Sequence, residues 1–338
     1  MTPARLLPDP VIDEEVLRKE FLFIVGSPRS GTTWLQLMLG SHPSVCATAE
    51  LTLYDKYLAP WLDAWKAEVR MTEEGKCYLG MPVLWDEAEF HSFLSGFLQT
   101  AYSKMLSTKP EASHILDKHP GYSQFVGTIQ HFIPQARFIH LIRDGRDVAA
   151  SLFAASRQLR WFARRPLYDY AQVWKRQVLA ARKAGAFKNH YLEVRYEDLS
   201  ASPTATLKTV FDFCGLDADD DLIETIVKEH VFENVKRSRS TPAAGVKVPE
   251  GHYRQGKVGT WRESFSAAHR YLFDRIAGDL LQELGYARNS WWANHPLQKI
   301  WVPFAAAGLK TCQFCQRLGP AGAVLLGTRT AVRAQPSN

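Results

Sequence analysis

Five consecutive apolar residues, Phe21-Leu-Phe-Ile-Val25, run directly into Gly26-Ser-Pro-Arg-Ser-Gly31-Thr-Thr. No other junction constrains the fold as much. A short apolar run without alternation predicts a strand buried on both faces, the environment of a parallel sheet covered by helices. Past the second glycine the period changes, and Trp34, Leu35, Met38 and Leu39 fall at helical spacing from Thr32 onward. Gly26 and Gly31 have the G-x-x-x-x-G separation of a phosphate loop, whose successive backbone N–H groups wrap an anion at the positive end of a helix. Thr32 and Thr33 add hydroxyl donors. Thr32 stands where a nucleoside-triphosphate loop carries its lysine, and the cation Arg29 lies inside the loop instead. That exchange speaks against a magnesium–triphosphate site, which needs the lysine and a metal-binding acid.

The same alternation recurs downstream. Strands are expected at 113–116, 137–142 and 190–194, with helices at about 122–132, 145–157 and 203–213. The fold class is therefore α/β: a P-loop-like, mainly parallel sheet flanked by helices, with right-handed crossovers. Mostly helical insertions are expected at about 52–108, 158–188 and 219–234. Trp161, Tyr168, Tyr170 and Trp174 read as helix-packing aromatics. Residues 236–260 form a long loop rich in glycine and cations, and such loops tend to carry function. A single domain over 1–286 is expected, with its motif-bearing core at 21–262 and a tail at 287–338.

Net charge is +6, but the excess is local. Arg288, Lys299, Lys310, Arg317, Arg329 and Arg333 lie beyond Ala287 without any acid, leaving 35 of the 41 Lys and Arg against 35 Asp and Glu elsewhere. A balanced body argues against nucleic acid as partner. Five cysteines are too few, and odd in number, for a disulfide framework. Cys312 and Cys315 form a lone C-x-x-C without further ligands at zinc spacing. No apolar run reaches a membrane span. Asp9, Asp13, Glu14 and Glu15 occupy the place of an apolar leader, so a cytoplasmic protein is expected.

A further strand–helix junction, Phe138-Ile-His-Leu-Ile-Arg143-Asp-Gly-Arg-Asp147-Val-Ala-Ala-Ser151, brings a cation and a hydroxyl into one run. It reads as a strand ending in Arg143, a glycine turn, and a helix carrying Ser151. A guanidinium offers a bidentate fork to phosphate, and a serine adds a neutral donor. Arg146 and Asp147 read as an intrahelical or turn ion pair.

Pro28-Arg-Ser-Gly-Thr-Thr-Trp34 after a buried strand resembles the 5′-phosphosulfate loop of sulfotransferases, which use 3′-phosphoadenosine 5′-phosphosulfate (PAPS) and release PAP. The Arg143…Ser151 run resembles the 3′-phosphate motif of that family. Arg195-Tyr196-Glu197-Asp198 resembles its Tyr-Glu-Asp segment. Arg254-Gln255-Gly256-Lys257-Val258-Gly259-Thr260-Trp261 resembles its late Arg-Lys-Gly…Gly-Asp-Trp loop, with Gln255 and Thr260 departing from the pattern. The resemblance is to the bacterial type, with features of tyrosylprotein sulfotransferases. It implies that Arg29, Ser30, Gly31, Thr32 and Thr33 hold the 5′-phosphosulfate. It also implies that Trp34 and Tyr196 lie by the adenine, and that Arg143, Ser151, Arg254 and Gly256 hold the 3′-phosphate.

Sulfuryl transfer demands placement and charge stabilisation more than covalent chemistry. Protein cations then suffice, and no metal is expected. By the resemblance, Lys118 of Leu116-Asp-Lys-His-Pro120 faces the donor. An acceptor hydroxyl needs a general base, and two side chains compete. His119 follows Lys118 by one residue, whereas the catalytic histidine of cytosolic members follows its lysine by two. Adjacent side chains on extended backbone point opposite ways, an argument for the imidazole being turned aside. Glu50, after the His42-Pro43 turn, resembles the base of the tyrosylprotein and bacterial enzymes, and we favour it. His42 belongs to the turn.

The acceptor class is a hydroxyl-bearing small molecule, carbohydrate or lipid; an amine fits the same chemistry. The acid-free aromatic segment from Ser290 to Phe304 suits a membrane-interface helix, a homodimer contact or terminal helices packed on the body. A P-loop kinase-like phosphotransferase and an inactive nucleotide-binding module are the alternatives.

Overall fold

The computed structural model describes residues 16, 18–74, 80–159, 164–239, 247–250, 253, 256–289, 304 and 307–308. The chain divides into two compact units, residues 1–143 with 176–258, and 144–175 with 259–338.

The first unit is built on five parallel strands in the order β2-β3-β1-β4-β5. They are β1 (Glu20–Val25), β2 (Val45–Ala47), β3 (His114–Lys118), β4 (Arg137–Ile142) and β5 (Tyr191–Arg195). β1 is central, with Phe23 opposite Asp117 on one side and Phe138 on the other. Its unbroken apolar run follows from a core on each face. Leu22 and Ile24 join Leu116, Ile139 and Leu141 in packing against α1 (Thr32–Gly40) and α8 (Pro203–Cys214). Phe21, Phe23 and Val25 face the other way, against Tyr54, Leu98, Tyr102 and Val126. These come from a π-helical turn (Leu53–Leu58), α3 (Glu87–Leu106) and α4 (Val126–Phe132). α2 (Ala59–Glu73) fills the insertion between the turn and α3. α7 (Tyr196–Ala201) follows β5, and α9 (Asp220–Glu229) and α10 (Phe232–Ser238) follow α8.

Three elements differ from expectation. β2 is a three-residue edge strand, too short to leave a periodic signal. β3 runs two residues past 116, through Asp117 and Lys118, because each of these polar side chains finds a hydrogen-bond partner. The expected helix at 122–132 is split into a 3₁₀ turn, Pro120–Gln124, and α4. Phe125 leaves helical geometry between them.

The second unit contains α5 (Gly145–Gln158), a 3₁₀ turn (Leu167–Asp169), the start of α6 (Tyr170–Ala181), α11 (Trp261–Ser264) and α12 (Ala267–Glu283). Tyr168, Tyr170 and Trp174 are buried as packing aromatics; Trp161 lies outside the described residues. A Cβ on Gly145 would sit 2.4 Å from the Trp174 indole, so only glycine permits that approach. The expected Arg146–Asp147 pair does not form. Arg146 pairs with Asp144 at 2.7 Å, since Asp144 caps α5 and folds back over its first turn. Asp147 instead accepts from the Gly259 and Trp261 amides at 2.6 and 2.8 Å and from the Thr260 hydroxyl at 3.0 Å.

Among the described residues no helix is long and apolar enough to cross a membrane. Cys312, Cys315 and all of 290–303 lie outside them.

Candidate active site

Ligands of open parallel sheets bind beyond the carboxyl ends of the strands, and the side chains singled out in the first unit gather there. Val25 ends β1, and the next six residues turn tightly into α1. Gly26, Arg29 and Gly31 all have positive φ, at 149°, 72° and 97°. The two glycines are required twice over. A Cβ on Gly26 would sit 2.5 Å from the Leu141 carbonyl, and one on Gly31 would sit 2.5 Å from the Tyr196 ring. Arg29 adopts the left-handed region without being glycine, the kind of strain that loops store at functional sites. The loop is tied down where the Gly26 amide donates to Ser123 Oγ at 2.9 Å. Gly31 caps α1 without a side chain, and no acid occupies its first turn. Both conditions favour an anion at this helix start. Ser30 Oγ is buried with no protein hydrogen-bond partner.

Beside the loop, Lys118 ends β3 with only 1% of its side chain exposed. Its Nζ donates to Thr33 Oγ1 at 3.0 Å and to Glu50 Oε1 at 2.5 Å. Glu50 reaches this point because β2 runs parallel to β3, Ala47 opposite Leu116, so the chain leaving β2 passes level with the end of β3. His119 stays extended, at φ −148° and ψ 132°. Its Nε2 lies 3.6 Å from Glu50 Oε2, and its Nδ1 lies 3.6 Å from Asp55 Oδ1. The imidazole is therefore not turned aside. Glu50 stands past the sheet edge, where the long lysine curls to one of its oxygens and the ring approaches the other. Burial lowers the His119 pKa below the ordinary histidine range, against the pull of Glu50 and Asp55.

A second group forms around Arg143, the residue that follows β4. Its guanidinium lies 4.2 Å over the Tyr196 ring and donates to the carbonyls of Arg29 at 3.2 Å and Lys257 at 2.8 Å. The Tyr196 hydroxyl donates to the Gly256 carbonyl at 2.6 Å. Gly256 has φ 66°, and a Cβ there would meet the Phe232 ring at 2.6 Å. Trp34 meets Tyr196 edge-on at 5.9 Å and donates its indole N–H to the His230 carbonyl at 2.7 Å. Phosphate loop, β4 end, β5 end and late loop thus converge on one arginine and one tyrosine. Burial pushes Tyr253 up to about 12 while the nearby Arg29 opposes the shift, so the late loop also comes close to Arg29.

With this geometry in hand, comparison with known proteins is decisive. The family model described as "Sulfotransferase family" matches residues 22–220. The chain belongs to the sulfotransferase family. An uncharacterized Aquifex aeolicus protein is 30% identical over 78% of this chain and 32% of its own length. Protein-tyrosine sulfotransferase A of Caenorhabditis elegans is 25% identical over 64% of this chain and 56% of its own. The chain thus spans about a third and somewhat over half of these two relatives. Mouse sulfotransferase SULT7A1 complexed with PAP shares the fold, with a TM-score of 0.54 at 19% identity over 81% of this chain and 93% of that one.

For this family member, Arg29, Ser30, Gly31, Thr32, Thr33, Glu50, Lys118 and His119 are all placed at or beside the loop, and Trp34, Arg143, Tyr196 and Gly256 belong to the second group of the same unit. Ser151 is buried on α5, in the second unit. Arg254 lies outside the described residues. His42 is a turn residue: its Nδ1 accepts from the Ser44 amide at 3.1 Å and its Nε2 faces the Asp217 carbonyl at 2.9 Å.

Sequence reasoning did not single out Ser123, Asp55 or Asp117. Only Asp117 left a signal, an acid at the apolar end of a strand. It is fully buried and accepts from the hydroxyls of Tyr102 at 3.0 Å and Tyr122 at 3.2 Å. Burial pushes its carboxyl from 3.8 up to about 7, outweighing those hydrogen bonds and Lys118. Between those two values the folded protein holds more protons than the unfolded chain, so this group costs stability as pH rises. Asp117→Asn should remove a slope of at most about 1.4 kcal/mol per pH unit for one proton. Urea unfolding of both proteins from pH 4 to 8 checks it; identical slopes would contradict the raised carboxyl.

Proposed function

We propose that this chain transfers the sulfuryl group of PAPS to the hydroxyl of an acceptor and releases PAP. One observation carries the reading above the family match: Lys118 bridges Thr33 of the phosphate loop and the carboxylate of Glu50. Donor-side cation and acceptor-side base are thereby within one hydrogen bond of each other. The loop suits a phosphosulfate. Ser30 Oγ is a buried donor without a protein partner, and the glycine-capped start of α1 has no side-chain cap bonded to its amides and no acid in its first turn.

The chain's own residues then divide the work. The loop amides with Ser30, Thr32 and Thr33 orient the 5′ end of the donor, and Arg143 with Gly256 and Arg254 holds the 3′-phosphate. The motif assigns Ser151 to the same phosphate. Trp34 and Tyr196 border the adenine. Lys118 and Arg29 offset charge on the sulfuryl oxygens and on the bridging oxygen that departs with PAP. Glu50 takes the proton of the attacking hydroxyl. Protein cations stand in for a metal in this scheme. The curated relatives named as protein-tyrosine sulfotransferases put a phenolic hydroxyl among the first acceptors to test, beside small alcohols, carbohydrates and lipids.

PAP should raise the melting temperature without added metal. At a hundredfold excess over Kd the stabilisation is about 2.7 kcal/mol, several degrees for a chain of this size. EDTA should leave transfer from labelled PAPS intact. Preference for ATP over PAP, with strict magnesium dependence, would instead assign a kinase-like phosphotransferase.

A further inference from the structure

Just beyond Glu50 the backbone does something the scheme above leaves unused. Thr52, a β-branched residue, sits in the left-handed region at φ 56°. A single π-helical turn, Leu53–Leu58, follows. Strained residues and isolated π turns concentrate where a side chain must be aimed. This turn is pinned, because the Leu53 amide donates to the Tyr122 hydroxyl at 2.9 Å. The side chain it delivers is Asp55, whose Oδ1 lies 3.6 Å from His119 Nδ1. Both atoms are buried, and neither has a hydrogen-bond partner within the protein. Two orphaned polar atoms facing each other are the costly arrangement that a small closure relieves. Gly121 backs the pair: a Cβ there would lie 2.9 Å from His119 Cε1 and Nδ1 and 3.7 Å from Asp55 Oδ2. On the other side of the ring, Nε2 faces Glu50 Oε2 at 3.6 Å.

We propose that Asp55 is a positioning residue of this site: it accepts the Nδ1 proton of His119, fixes that tautomer, and so turns the Nε2 lone pair toward Glu50. The proposal rests on the sulfuryl-transfer reading for its chemistry, though not for its geometry. As the acceptor oxygen bonds to sulfur and the sulfur–oxygen bond to PAP breaks, the hydroxyl proton goes to Glu50. Glu50 hands it to His119 Nε2 and is a carboxylate again. The imidazolium then stands between two carboxylates, with Asp55 ionised throughout, and releases its proton to water through the 19% of its side chain that is exposed. Four charges face the ring. Glu50 and Asp55 favour the imidazolium, Lys118 and Lys56 oppose it, and burial keeps the resting ring neutral. Tyr122 meets the ring edge-on at 5.3 Å. Between turnovers His119 is thus a neutral acceptor with its lone pair toward the base.

Nitrogen-15 NMR of the full chain labelled at histidine, with His119 assigned through His119→Gln, tests this without knowledge of the acceptor. The wild type should show the Nδ1–H tautomer. Asp55→Asn presents an amide N–H to Nδ1 and should shift the ring to the Nε2–H form with a lower titration midpoint. The same variant should lose about 10- to 100-fold in kcat with PAP affinity unchanged, and Asp55→Glu should recover part of the loss. An unchanged tautomer and midpoint in Asp55→Asn would overturn the proposal. If that variant does not fold, Gly121→Ala pushes on the ring from behind and should erase the same signature; an unaltered spectrum there overturns it equally. Failure of every acceptor, with the tautomer shift intact, removes the transfer reading and leaves the Asp55–His119 assignment standing.

Discussion

Glu50→Gln is expected to lower turnover by about 10²–10⁴-fold while PAP affinity stays near normal. The amide keeps the shape of the side chain and its place beside Lys118, but takes no proton. It also leaves Lys118, 1% exposed, without its carboxylate, so a lower melting temperature should accompany the kinetic loss. Turnover compared at temperatures well below both transitions separates the two effects. His119→Ala should cost less, because the imidazole receives the proton only after Glu50 has taken it. A pH profile alone does not discriminate. Carboxylate and imidazole bases start from about 4.3 and 6.5, and burial moves His119 downward toward the carboxylate range. The paired variants do discriminate. Near-full turnover in Glu50→Gln, with His119→Ala or His119→Asn inactive, would transfer the role of base to His119.

Arg143→Ala is expected to weaken PAP binding by roughly 10- to 150-fold, the equivalent of a charge-assisted contact worth about 1.5–3 kcal/mol. The guanidinium has two jobs. It is the candidate partner of the 3′-phosphate, and it holds the phosphate loop and the late loop together through the Arg29 and Lys257 carbonyls while lying over Tyr196. Arg143→Lys separates them, since a lysine keeps the charge and loses the fork and the stacked plane. If phosphate charge dominates, Lys restores much of the PAP affinity; if loop geometry dominates, it restores little. Calorimetric titration with PAP reads both variants. Unchanged affinity in Arg143→Ala would remove this arginine from the donor site.

The sequence alone determined the elements whose physics is local. β1 and the phosphate loop were legible because an apolar run must be buried on both faces, and because Gly26 and Gly31 mark backbone that other residues cannot adopt. β4, β5, α1, α5 and α8 followed from the switch between strand and helix periods. Lys118 and Arg143 stood out as charges at expected strand ends, and Glu50 as the acid after the His42-Pro43 turn, inside a pattern that resembles the family.

What the sequence left undetermined depends on contacts between distant segments. β2 is three residues long and exists because β3 pairs with it, yet it is what carries Glu50 to Lys118. Asp117 and Lys118 stand in a buried strand where Tyr102 and Tyr122 hydrogen-bond to Asp117 Oδ2, and Glu50 and Thr33 accept from Lys118, partners drawn from distant parts of the chain or from the neighbouring turn. Alternation along a strand argued for His119 turning aside, but the rule stops applying where β3 ends and one carboxylate stands between both side chains. Asp55 carried no signal at all, since its significance lies in a strained turn and a facing imidazole. Period and backbone permission are properties of neighbouring residues, so sequence displays them. Desolvation and pairing belong to groups far apart in the chain, and only the tertiary structure brings those together.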